Sequence, residues 1–205
     1  MKRTPRAPKA KRLKSSERKA EIVQTAVQLA KEKNIDTITT DDIARAMGLT
    51  QGAIFRHFPT KEAIWVAGVE WVDKIMIEAI EESAAKRQSP LDKVEGVFFG
   101  MADMLVRYPG MAQVMFHELQ RPNEYEPKEI MQAAVRHMSI GLEAIIDDGK
   151  AKGEIAVDID TAVGARMLLG ALDGLVTQAA MQGRPEEIGY EARKLFPLLR
   201  KALSN

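Results

Sequence analysis

Cysteine is absent from all 205 residues, which excludes disulfides, thiolate nucleophiles and cysteine-held zinc or iron–sulfur centres. A reducing, cytoplasmic setting is the expectation. Aromatic residues make up only 5 % of the chain, too few for a core built on large rings. No uninterrupted apolar run is long enough to cross a bilayer, and the basic N-terminus lacks the apolar centre of a signal peptide, so no membrane partner is expected. Missing too are a Walker loop, a serine nucleophile elbow and a Gly-x-Gly-x-x-Gly turn after a strand. His117-Glu118 and Asp147-Asp148 have no convergent partners, because neighbours on a helix diverge by about 100°. The sequence therefore predicts no catalysis, no cofactor and no resident metal.

What is present suits helices. Eleven methionines and a hydrophobic share of 45 %, much of it Ala and Leu, favour unbranched side chains that lose little rotamer freedom in a helix. Net charge is only +1, yet it is unevenly spread: residues 1–60 hold 13 Lys and Arg against 6 Asp and Glu, a net of +7, while the rest holds 17 against 23, a net of −6. A polyanion would be drawn to one end of the molecule and repelled by the other.

Residues 1–16 have almost nothing to bury and read as a disordered basic arm, able to follow phosphates. Helical spacing then runs from Ser16 to about Lys33-Asn34. Thr39 with Asp42 resembles a capping box opening a short helix, Gly48 ends it, and Thr50 can cap a third helix that Pro59 forces to stop. A long helix follows from Thr60-Lys61-Glu62 to about Arg87. Ser89-Pro90-Leu91-Asp92 is a well-formed start signal, and further helices read as 90–107, 110–120, 127–150, 159–182 and 186–203. Nothing reads as a strand.

Ala44, Gly48 and Ile54 supply what a helix-turn-helix needs: a small residue where two helices approach, a glycine for a left-handed turn, and an apolar residue fastening the second helix to the first. With the flanking residues, TTDDIARAMGLTQGAIFRHFPTKE over 39–62 resembles the DNA-binding domain of the TetR family of transcriptional repressors, a likeness extending from Glu17 to Trp65. It implies an all-α protein of about nine helices: the arm 1–16, a three-helix helix-turn-helix domain 17–62, and a helical ligand-binding and dimerisation domain 63–205. It implies a homodimeric repressor, bound to double-stranded operator DNA and released by a small organic effector. The alternative is an architectural or division-associated DNA-binding protein of the same fold without an inducer.

Carried onto this sequence, the resemblance makes Gln51 to Phe58 the recognition helix. Gln51 would read adenine, Ala53 a thymine methyl, and Gly52 would let the backbone come close. Thr40, Thr50, His57 and Lys61 would meet phosphates. Family members commonly have Lys where this chain has Gln51 and Tyr where it has Phe55, so a phosphate bond from a Tyr hydroxyl is lost here. Phe55 either packs on its own domain or touches DNA sugar; Arg56 contacts DNA or is solvated. In the body, the resemblance makes Leu168, Gly170, Leu172, Gly174, Leu175, Leu195 and Leu199 candidates for a four-helix dimer interface. Trp71, Met101, Met104, Met111, Met115, His117 and Met138 are candidates for the effector pocket, though methionines at helical spacing equally suit plain core.

Overall fold

The computed structural model describes residues 14–120 and 126–205. The basic arm up to residue 13 and the Arg121-Pro122-Asn123 connection lie outside them. Among the described residues the elements are α1 (Ser15–Leu29), α2 (Thr40–Ala46), α3 (Gln51–Phe55), α4 (Lys61–Ala85), α5 (Pro90–Arg107), α6 (Pro109–Gln120), α7 (Glu126–Ala151), α8 (Thr161–Gln182) and α9 (Ile188–Leu203). Short 3-10 turns at Ile35–Thr37 and Pro185–Glu187 complete them. The all-α fold and the order of helices agree with the sequence reading. Isolated pairing of Ile155 with Ser204 is the nearest approach to a strand among these residues.

Several ends differ from expectation, and α1 begins at Ser15, inside the stretch 1–16 expected to be disordered. α1 stops at Leu29, and the next amides fold into a tighter turn in which Lys31 bonds to Gln28 and Glu32 to Leu29. α3 ends at Phe55, three residues before Phe58, because the amides of His57 and Phe58 both return to the Ile54 carbonyl ahead of Pro59.

The capping box forms: the Thr39 hydroxyl accepts from the Asp42 amide, and the Asp42 carboxylate accepts from the Thr39 amide at 2.9 Å. Lys33 donates to the same carboxylate at 2.7 Å. That Lys33 bond first, then the Thr39 hydroxyl and amide, hold the Asp42 carboxyl well below its usual range. A carboxyl lowered on folding contributes stability above its unfolded pKa of about 4, and that contribution drains away as pH falls below it. Asp42→Asn should therefore flatten the first part of the acid-unfolding curve followed by circular dichroism below about pH 4. An unchanged curve would show that the box contributes nothing.

α1, α2 and α3 enclose Ile22, Val23, Ala26, Ile38, Ile43, Ala44 and Ile54, all buried. α4 starts in this cluster with Ile64 and Trp65 and continues into the body with Val72 and Met76. A boundary at residue 62 thus falls at the head of a helix that serves both halves. In the body α5 packs on α4, α7, α8 and α9, and Phe98, Phe99 and Phe196 join α5 to α9 with ring centroids 5.2–6.0 Å apart. No described helix is long and apolar enough to cross a membrane.

Candidate nucleic-acid interface and ligand cavity

The turn between α2 and α3 is built as the sequence predicts. Gly48 has φ +64°, a left-handed backbone that favours glycine, and the Leu49 amide closes onto the Ala44 carbonyl at 2.8 Å. Ala44 and Ile54 are buried beneath it, so α3 is held by its inner face with the outer face free. That outer face carries Gln51, Gly52, Phe55 and Arg56, all exposed. Phe55 is 45 % exposed, the state of a ring that is not part of its own domain's core. Arg56 has no ion-pair partner among the described residues. Ala53 is half-buried, and a side chain on Gly52 would meet open space.

Other candidates are already engaged. Thr40 departs from the expectation of a phosphate contact: it is buried, and its hydroxyl accepts from the Gln51 amide nitrogen at 2.8 Å. Gln51 must exchange that bond to reach a base. Lys61 donates to the Asp36 carbonyl at 2.7 Å, fastening the head of α4 to the 3-10 turn. His57 Nδ1 lies 3.4 Å from the Ser15 hydroxyl. Thr50 is exposed and makes no capping bond with its side chain. A short helix anchored on one face, with an amide and a guanidinium on the other, can enter a major groove and place Gln51 against a base and Arg56 against a phosphate. Gln51→Ala should cost about 1–3 kcal/mol on a specific duplex and little on random DNA. Arg56→Ala should weaken both alike and lower the log–log salt slope by about 0.9 per subunit. Fluorescence anisotropy over a range of salt separates the two; equal losses for Gln51→Ala on both duplexes would make it a backbone contact.

A second feature lies in the body, an apolar cavity of about 120 Å³. α4 contributes Val72 and Met76, and α5 contributes Met101, Met104 and Leu105. α6 supplies Met111, Ala112, Met115 and Phe116, and α7 supplies Val135 and Met138. The remaining wall is Leu169, Leu172, Asp173 and Val176 of α8. Five of the seven expected pocket residues are there. Trp71 is not: it stacks edge-on against Tyr108 at 5.2 Å, beside α1. Nor is His117, whose Nε2 lies 3.2 Å from Asp36 and whose Nδ1 lies 3.1 Å from Glu118. The α8 wall was missed, although residues 169, 172, 173 and 176 share one helical face and could have been read from spacing alone. Asp173 is exposed as a whole residue, yet the hydrocarbon around it raises its carboxyl above the usual range.

The expected interface residues divide by face. Leu168, Leu172 and Leu199 are buried within their own subunit and cannot meet a partner as placed. Leu175 and Leu195 are half-buried. Gly170 and Gly174 lie two positions round from Leu168 and Leu172, exposed, with open space where a side chain would stand. Met181 of α8 and Leu198 of α9 are exposed by 78 % and 66 %.

α6 joins the two regions. Its inner face lines the cavity, while its start is pressed on α1 so closely that a Cβ at Gly110 would overlap the Val27 carbonyl. Farther along, His117 reaches Asp36 in the DNA-binding half.

Residues 22–67 match the family described as bacterial regulatory proteins, tetR family, and residues 70–202 match the YsiA-like protein, C-terminal region. A nucleoid occlusion factor, SlmA, from Vibrio vulnificus is 26 % identical over 163 residues, covering 78 % of this chain and 83 % of that protein. Among solved structures, the fatty acid degradation regulator FadR of Bacillus halodurans superposes with TM-score 0.78 at 21 % identity, covering 93 % of this chain and 97 % of its own. The transcriptional regulator FadR of Bacillus subtilis, solved with stearoyl-CoA, superposes with TM-score 0.76 at 22 % identity, covering 90 % and 98 %. Both likenesses are of fold.

Proposed function

The chain belongs to the tetR family of bacterial regulatory proteins, and from that premise we propose that it is a homodimeric repressor which leaves its operator when a small organic molecule enters the cavity. As a member of the family it is a DNA-binding transcriptional regulator. Repression, dimerisation and release are the proposal.

The observation that carries it is the double use of α6. A cavity of about 120 Å³ is smaller than the roughly 300–1,000 Å³ of ordinary ligand sites, so a ligand of useful size must push the walls apart. Six of those walls' side chains are Met, which change shape at low cost. α6 is a wall and also the support of α1 and the 3-10 turn, through Gly110 and His117. Outward movement of α6 therefore shifts the reading helix of one subunit relative to that of its partner. The differential affinity of ligand for the widened state sets the size of the response. The FadR neighbour solved with stearoyl-CoA supports a ligand-responsive use of this fold.

The Vibrio nucleoid occlusion factors favour a second reading, a DNA-binding protein of the same fold that answers to no small molecule. The test is to titrate the protein–operator complex with a panel of apolar probes. Release by at least one probe, lost when Ala112→Leu narrows the cavity, is the expected result. A panel without effect on affinity would favour the second reading.

A further inference from the structure

Of the fifteen described side chains facing the cavity, fourteen are hydrocarbon or thioether and one, Asp173, is ionisable. Among the described residues no Lys, Arg or His faces it. From this asymmetry we infer that the ligand is a slender apolar amine, its hydrocarbon lying among the methionines and its ammonium group against the Asp173 carboxylate. The inference rests on the reading of the cavity as the effector site.

Charge decides the class. An anionic head group would face either Asp173 or bare hydrocarbon, and neither offers a donor to replace lost water. A cation instead receives a partner at the one point where the wall is charged. Asp173 gains as well: its apolar surroundings disfavour the ionised form in the empty protein, and a bound ammonium group offsets that penalty. Polarisable thioethers and the aromatic Phe116 tolerate a neighbouring cation better than aliphatic walls would. A neutral alcohol could donate a single hydrogen bond to Asp173 and stands between the two.

Size limits the body of the ligand. A cavity of about 120 Å³ is close to the roughly 150 Å³ that accommodates benzene. One alkyl chain or one ring fits once the Met-lined walls, α6 among them, give way; a fused polycycle does not.

The decisive experiment uses three probes of equal length, octylamine, 1-octanol and octanoate, titrated into the full-length protein by calorimetry. Octylamine should bind about tenfold or more tighter than octanoate, with octanol between them. Asp173→Asn alters an exposed position and should leave the fold intact. In it, octylamine should fall to the level of octanol and octanoate should improve. If octanoate binds the wild type as well as octylamine, or if the order survives Asp173→Asn, the amine class is wrong while the cavity remains a ligand site. If no probe binds, or if Ala112→Leu binds all three like the wild type, the cavity is not the site and the inference falls with it.

Discussion

Glu placed at both Gly170 and Gly174 should leave each subunit folded while abolishing tight operator binding. Both glycines are exposed on α8, and a Cβ at either has nothing within 4 Å among the described residues. An interior glycine costs a helix about 0.8–1 kcal/mol relative to alanine, so the substitutions by themselves favour the α8 helix. Any loss must then come from what lies against this face in the assembly. Two bare backbones on one stripe permit close approach by an equivalent helix of a second copy, and two carboxylates there forbid it. On the proposed dimeric reading a single subunit meets one half-site, and specific binding usually exceeds non-specific by about 4–10 kcal/mol. Most of that margin should disappear. Light scattering should report monomers, with an unaltered helical signal by circular dichroism. A dimer that persists would move the interface elsewhere on α8 or α9. Leu172, by contrast, is the wrong place for this test, since it faces the cavity and its loss would disturb the core.

Gly110→Ala should give the second large effect. The added Cβ would overlap the Val27 carbonyl and crowd the Lys31 amide. Both are backbone groups, so no flexible side chain can move aside, and α6 must lift away from α1. Overpacking of this kind costs about 1–3 kcal/mol and occasionally more, or roughly 2–4 °C of melting temperature per kcal/mol in a chain of this size. If α6 carries the response to ligand, the variant should also resemble the ligand-bound state, with weakened operator affinity in the absence of any probe and little further loss on adding one. A variant that is merely less stable, with operator affinity and probe response intact, would separate the α6–α1 contact from regulation. His117→Ala removes the second link without crowding and should give a milder form of the same result.

Much of the DNA-binding half was legible from the sequence. Thr39, Asp42, Gly48 and Pro59 are local signals, each acting within a few residues, and the structure uses the first three as capping and turn residues. Ala44 and Ile54 could be placed because the turn is short enough to fix how the two helices meet. The engagement of Thr40 by Gln51 was not legible, because it depends on two side chains eleven positions apart meeting across that turn. In the body, helix order was clear, but the faces were not. α8 carries apolar residues on several sides, so hydrophobicity alone could not separate Leu168 and Leu172, which turn inward, from Met181, which turns outward. Glycine does not separate the faces either, since Gly170 and Gly174 are exposed while Gly164 of the same helix is buried. Asp173 was passed over since a single acid on an amphipathic helix looks like a solvated residue until the opposing walls are known. His117 follows the cavity-lining Met115 and Phe116 directly, yet its position round the helix faces the DNA-binding half instead.

The central claim is that two copies of this chain read DNA together. Its most direct test is selection of duplexes from a random pool by the full-length protein, followed by sequencing of those retained. The expected outcome is an inverted repeat, with half-sites separated by about one helical turn, 10–10.5 base pairs centre to centre, or a multiple of it. Enrichment of a single unrepeated motif, or of no sequence at all, would contradict it.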